Sequence, residues 1–444
     1  MNYDFDKIVD RRGTDCIKWD ITKPGELPMW VADMDFEAAP PIREAMKRKI
    51  EQGIFGYSFL PDRWYRAYID WWRDRHGFTM EKDWLIFSTG VVPTMSSVVR
   101  KLTTPGEKVV FLTPVYNIFY NSVLNSGRVV NESELIRRDD GTYDIDWEDL
   151  TRRLSDPQTT MMFLCNPQNP VGRIWTREEL ARIGDLAKEN HVIVVSDEIH
   201  CDLTDPGTAY IPFAAASPVC RDISITCLAP TKCFNIAGLQ TSAISVPDPF
   251  LRHKVDRGLN TDECGEPNAF AVDVAVSAFN ECGDWLDQLR AYVAGNKAYV
   301  RDFIEKEIPE LSVASGPATY LLWIDGRKLK TVGFGKKLFG AANFAGNSSK
   351  ISAGEDEEAK APVDENANKE ASAGDNDGTD HNYGSKTPLA SYIRKKTGLF
   401  LSNGEQYGKG GEFYLRINLA CPRSIVVEGM KRLKTAVEAW KAEA

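Results

Sequence analysis

Ala229-Pro230-Thr231-Lys232-Cys233-Phe234-Asn235-Ile236-Ala237-Gly238-Leu239-Gln240 follows directly on an apolar run, Ile223-Ser224-Ile225-Thr226-Cys227. A short run of this kind reads as a buried strand, so Lys232 stands just beyond a strand end. An amine held there can act as a covalent catalyst, because lysine forms Schiff bases with carbonyl compounds. Read in isolation, a lysine after a strand is far more often an ordinary surface residue. What decides between the two is what the other strand ends carry.

Working outward, short β-branched runs recur between helical stretches. Strands are predicted at Trp84 to Ser88, Lys108 to Leu112, Arg128 to Asn131, Met161 to Cys165, Val192 to Asp197, Ile223 to Cys227 and Thr241 to Val246. Continuous apolar runs such as Ile193-Val194-Val195 suit strands covered on both faces, as in a mainly parallel sheet between helices. Thr176-x-x-Glu179 reads as a capping box opening a helix with Leu180, Ile183 and Leu186 on one face. Pro40 and Pro41 suit the first turn of an earlier helix presenting Ile42, Ala45, Met46 and Ile50. A turn from Gly53 to Tyr57 and an aromatic helix near 62 to 76 follow, and a long helix starts near 285.

In open α/β sheets ligands bind beyond the carboxyl ends of the strands. Those positions hold Thr89-Gly90-Val91-Val92, Thr113-Pro114-Val115-Tyr116, Asn166-Pro167-Gln168-Asn169-Pro170-Val171-Gly172, Asp197-Glu198-Ile199-His200 and, last, Thr231-Lys232. A glycine at a helix start, an aromatic, an amide, a carboxylate and an amine converge on one sheet edge.

Composition narrows the field. The 444 residues are 43% hydrophobic and 27% charged, which suits a globular chain with a large core. No apolar run approaches the roughly 18 residues of a membrane helix, and the amino terminus lacks a basic and apolar leader. The expectation is a cytoplasmic protein without a membrane role. Nine cysteines without a Cys-x-x-Cys pair and five scattered histidines argue against a disulfide frame or a metal centre. A net charge of -10 argues against nucleic acid as a partner. Between 341 and 386 ten acidic residues and four lysines give -6 of that total. This segment nearly lacks large apolar residues and is expected to be a disordered acidic insert in a folded domain.

The convergent groups match what pyridoxal phosphate requires. Lys232 would take its aldehyde and, displaced by substrate, remove the α-proton. Asp197 would keep the pyridine nitrogen protonated: an ion pair at roughly 4 Å and an effective dielectric near 20 is worth about 4 kcal/mol, or around three pK units. Asn169 would donate to the phenolate oxygen and Tyr116 would stack on the ring. The backbone N–H groups of Gly90, Val91 and Val92 would hold the phosphate at a helix start, with a hydroxyl from Thr231.

The order Asn-Pro-x-Asn-Pro-x-Gly, Ser-Asp-Glu-Ile-His and Thr-Lys-x-Phe-Asn-x-Ala-Gly resembles the fold type I pyridoxal phosphate enzymes related to aspartate aminotransferase. It is similar, more narrowly, to their cystathionine β-lyase-like carbon-sulfur lyases. Leu27 to Phe36, Gly53 to Ser58 and Leu415 to Arg423 fit as well, so the likeness spans nearly the whole chain. It implies an α/β fold of the aspartate-aminotransferase type, a large domain with a mainly parallel seven-stranded sheet between helices plus a smaller α+β domain. The expected limits are 1-48 for the arm and part of the small domain, 49-285 for the large domain, and 286-444 for the small domain with its acidic insert.

The resemblance also implies a homodimer with shared sites, in which Tyr57 reaches the neighbouring phosphate and Arg416 clamps the carboxylate of a small amino-acid substrate. Where typical transaminases of the family carry a tyrosine and an arginine, this chain has His200, kept among the expected cofactor contacts, and Gln240; both departures point to the lyase branch. Ser402-Asn403-Gly404 departs from the usual proline before the glycine. The expected reaction is β-elimination from cystathionine or a cysteine S-conjugate to a thiol, pyruvate and ammonia, with Lys232 or Tyr116 protonating the leaving sulfur. The alternatives are an aminotransferase and a regulatory binding protein that retains the cofactor site.

Overall fold

The structure is a computed structural model that describes residues 2–314, 316–339 and 389–443. The acidic insert expected at 341 to 386 lies outside the described residues.

All seven predicted strands pair in one sheet: β1 (Leu85–Ser88), β2 (Lys108–Thr113), β3 (Val129–Glu134), β4 (Thr159–Cys165), β5 (Ile193–Asp197), β6 (Ser224–Leu228) and β7 (Ser242–Ser245). Their spatial order is β1-β7-β6-β5-β4-β2-β3. Only β7 runs antiparallel to its neighbours. The run expected at Arg128 to Asn131 extends to Glu134, because its residues stay in register with β2 through Thr113.

Alternation along the strands feeds two cores. Val110, Leu112, Met162, Leu164 and Val194 pack with Leu180, Ile183 and Ala187 of helix Arg177–Glu189. Val109, Phe111, Met161, Phe163, Val195 and Ile225 pack with Met95, Val98 and Val99 of helix Val91–Leu102. Successive residues face opposite ways, so continuous apolar strands are what a sheet covered on both sides demands. The capping box forms as read: Thr176 accepts from the Glu179 N–H, and Glu179 accepts from the Thr176 N–H at 2.9 Å.

The aromatic helix spans Asp62–His76 and buries Trp64, Tyr68, Trp71 and Trp72. Helix Pro40–Gln52 buries Ile42 and Ala45, but Ile50 is 56% exposed, contrary to the expected apolar face. Its last turn runs past the core, and Gly53, at φ 70°, ends it in the left-handed conformation that glycine adopts most readily. A second sheet joins Ser312–Ala314, Leu321–Asp325, Tyr414–Asn418 and Ser402–Asn403 in that spatial order. Its core takes Leu27 and Met29 from the amino-terminal arm, so the two ends of the chain pack together.

Candidate active site

Sheet register sets the site. Cys165, Asp197 and Cys227 align across β4, β5 and β6, which puts the Asp197 carboxylate between two strands at the carboxyl edge. Asp197 is buried, and its Oδ1 accepts the Ile199 N–H at 3.1 Å. Burial pushes its carboxyl up to about 6, against the opposing pull of that N–H and of the Lys232 charge. The same burial raises the Cys165 and Cys227 thiols well above their ordinary range.

Beyond β6 the chain turns, and Lys232 Nζ donates to the Ala32 carbonyl at 2.6 Å. Burial lowers its ammonium to about 8; Asp33 and Asp197 oppose that shift, and the Arg416 charge adds to it. Ala32 belongs to the arm, whose path over the lysine is pinned from two directions. Asn235 accepts the Met34 N–H and donates to the Met34 and Phe36 carbonyls. Asn418 donates to the carbonyls of Val31 at 2.7 Å and Asp33 at 2.8 Å.

Asn169 is buried in the loop after β4, and its Oδ1 accepts from Arg416 Nη1 at 3.2 Å. Arg416 Nη2 donates to the Trp30 carbonyl at 3.0 Å. Gln168, next in the loop, donates to the Leu112 and Pro114 carbonyls and ties the amide loop to the end of β2. There Tyr116 is half-buried, with its phenol pushed up to about 12 by burial and by Asp197 and Tyr407, while Arg416 pulls it down. The structure therefore brings Asn169, Tyr116, Asp197, Lys232 and Arg416 to one cleft. His200 joins them: burial and the Lys232 and Arg416 charges lower its imidazole to about 3, so it is neutral.

Gly90 caps helix Val91–Leu102, and the first-turn N–H groups, Val91 and Val92 among them, have no carbonyl partner within the helix. Thr231 is buried beside Lys232. Tyr57 is apart from this cleft in its own chain. It lies fully exposed on the segment after helix Pro40–Gln52, with Ile54, Phe55 and Phe59 also exposed.

The residues fit pyridoxal phosphate. His200 Nδ1 and Arg416 Nε are buried without a hydrogen-bond partner among the described residues, a state that a polar ligand relieves. An amine, a carboxylate with a single side-chain hydrogen bond among the described residues, an amide, an aromatic and an open helix start form the set of groups that the cofactor needs. Sequence reasoning missed the Ala32 and Trp30 carbonyls, Gln168, Asn235 and Asn418. The asparagines and Gln168 stood within the quoted motifs, but the carbonyls have no side-chain signature.

Comparison with known proteins places the chain. The sequence profile of aminotransferase class I and II matches residues 31–432. The cystathionine beta-lyase PatB of Bacillus subtilis (strain 168) is 38% identical, over 98% of this chain and 99% of the relative. The structure of cystalysin from Treponema denticola, which contains a pyridoxal 5'-phosphate cofactor, superposes with a TM-score of 0.83 at 30% identity, covering 99% of this chain and 100% of that one. That of the PLP-bound C-S lyase from Staphylococcus hominis gives 0.82 at 29% identity, over 98% and 99% of the two chains. The chain belongs to the aminotransferase class I and II family, as a fold type I, pyridoxal-phosphate-dependent enzyme of its carbon-sulfur lyase branch.

Proposed function

We propose that this enzyme is a carbon-sulfur β-lyase acting on L-amino acids with a sulfur leaving group on Cβ, such as L-cystathionine or a cysteine S-conjugate, to give a thiol, pyruvate and ammonia. The carrying observation is the Lys232 amine, lowered to about 8 and set in one cleft with Asp197, Asn169 and Arg416. An amine of that basicity is matched to taking an α-proton near neutral pH. The lyase branch draws support from the 38% identical cystathionine β-lyase and from Gln240, an exposed amide where the transaminases of the family carry a cation.

Pyridoxal phosphate, when bound, supplies an electron-poor ring that accepts the electron pair left by a broken Cα bond. The chain's own residues do the rest. Asp197 holds a proton on the pyridine nitrogen, Asn169 donates to the phenolic oxygen, and Tyr116 covers the ring. Gly90, Val91, Val92 and Thr231 bind the phosphate, and His200, neutral through burial, offers its unpartnered Nδ1 to the cofactor. Arg416 orients the substrate through its carboxylate. Lys232 takes the α-proton, and Lys232 or Tyr116 returns one to the departing sulfur.

A homodimer completes this reading. Ile50, Ile54, Phe55, Tyr57 and Phe59 are 56–102% exposed in one stretch of chain, an apolar row that a second copy would cover, with Tyr57 reaching the phosphate site of the partner. The proposed domain limits stay at 49-285 and 286-444, with the arm contributing to the small domain; Leu27 and Met29 in the second core support that assignment.

Incubation of the holoenzyme with L-cystathionine should release pyruvate, ammonia and a thiol in equal amounts. Stoichiometric exchange of the amino group with a 2-oxo acid, without pyruvate from the substrate, would sink the lyase reading in favour of transamination. Phe55→Asp should shift the sedimentation coefficient to that of a monomer and reduce turnover.

A further inference from the structure

Arg416 is held in its own plane by two hydrogen bonds, to Asn169 and to the Trp30 carbonyl. Neither bond stops the guanidinium from tilting about the axis between them. Packed against it is Tyr407: the guanidinium carbon lies over the ring, 4.8 Å from its centroid. Both side chains are buried, Arg416 at 4% and Tyr407 at 1% exposure, so the contact is desolvated, the condition in which a cation over an aromatic ring is strongest.

The ring is itself fixed. Trp323 meets it edge-on at 5.4 Å. Its hydroxyl is in hydrogen-bond contact with Ser402, whose Oγ donates at 2.8 Å to the same Trp30 carbonyl that Arg416 uses. The backbone of the residue has a second attachment, because the Tyr407 carbonyl accepts the Val115 N–H at 2.9 Å. Beside it, Asn117 Nδ2 donates to Gln406 Oε1 at 3.4 Å. The segment Gly404–Tyr407 thus spans from the strand carrying Ser402 to the turn carrying Tyr116. Gly408, at φ 88°, keeps it there, since a Cβ at that position would collide with the Tyr120 hydroxyl.

We propose that Tyr407 is a positioning residue for substrate selection: its ring keeps the Arg416 guanidinium from tilting at the cleft, while its carbonyl sets the Val115-Tyr116 turn. The carboxylate clamp and the aromatic over the ring are therefore registered against each other at a single residue. This rests on Arg416 being the clamp. A tilted guanidinium still carries its charge but offers a carboxylate one N–H instead of two, so the loss appears in binding of the carboxylate and not in proton transfer.

The test compares an L-amino-acid substrate with its α-carboxamide, which makes no ion pair. Tyr407→Leu should raise KM for the carboxylate substrate about tenfold, the scale of one desolvated cation–ring contact. Its kcat should hold within about threefold, with KM for the carboxamide unchanged. Tyr407→Phe, which keeps the ring, should stay within about twofold of the wild type. Unchanged KM in Tyr407→Leu, or equal weakening of both substrates, would overturn the proposal.

Phenylalanines of increasing ring fluorination at 407 keep the shape and remove the quadrupole. They should raise KM stepwise, and a flat series overturns the proposal even if Tyr407→Leu does not fold. Arg416→Ala separates the two layers of the reading. If it leaves KM for the carboxylate substrate unchanged, the clamp itself is wrong; if it raises KM while Tyr407→Leu does not, only the positioning role fails.

Discussion

Asp197 and Glu198 are adjacent, both buried, and have opposite surroundings. Glu198 accepts from Ser196 Oγ and the Phe213 N–H, each at 2.8 Å, from Asn166 Nδ2 at 3.3 Å, and from the Tyr210 hydroxyl. Asp197 accepts the Ile199 N–H and faces Lys232. Burial raises both, Glu198 to about 7 and Asp197 to about 6. A buried carboxyl with its hydrogen bonds filled by the chain is architecture; one with lone pairs left over is part of a site that a ligand completes. Neither burial nor a shifted pKa distinguishes the two, and the count of partners does.

The contrast can be broken most severely at its catalytic side. Lys232→Ala should lower turnover by about a thousandfold or more and abolish the covalent attachment of cofactor after borohydride, read by visible absorbance. Asp197→Asn should cost turnover on the order of a hundredfold with a melting temperature close to that of the wild type. A variant that lost stability and kept turnover would erase the distinction between the two carboxyls. Glu198→Gln should do the reverse, keeping turnover within a fewfold and losing roughly 1–3 kcal/mol in urea unfolding as a buried acceptor is exchanged for a donor.

That last loss depends on pH. Glu198 has a folded-state pKa raised above its unfolded value, so its contribution is fully present below about 4.5 and fades as pH rises through about 7. In the cofactor-free protein the stability of wild type relative to Glu198→Gln should therefore be greatest below about pH 4.5 and fall as pH rises to about 7. The smallest effect is a shift of midpoint. Labelling of Lys232 by an amine reagent, followed by mass spectrometry of the cofactor-free protein, should rise through about pH 8, where an unperturbed lysine rises near 10.5.

The sheet was legible because its signal is compositional. In runs such as Ile193-Val194-Val195 successive residues enter the two opposite cores, whereas the edge strand Val129–Glu134, polar from Asn131 onward, was read only as far as that asparagine. Asp197, Asn169 and Lys232 were legible because α/β topology sends ligands to strand ends. Ile50 misled for a simple reason: helical period marks it as inward-facing, but its turn lies beyond the core that the other members of that face reach. The arm over Lys232 was opaque because it acts through the carbonyls of Trp30, Val31, Ala32 and Asp33, which any sequence could provide. Tyr407 was opaque because an aromatic in a glycine-rich loop reads as packing until Arg416 is seen above it. The small sheet, with strands of two to five residues, carries too little alternation to be read.

The arm and the strand Tyr414–Asn418 meet over Lys232 although nearly four hundred residues separate them, as in the Asn418 to Val31 hydrogen bond. On the ribosome this has a temporal meaning. Lys232 emerges with its sheet more than 180 positions before Asn418, so the nascent large-domain sheet can assemble around a lysine with no roof. The hydrogen bonds that fix the arm above the lysine can form only once the strand Tyr414–Asn418 has been made.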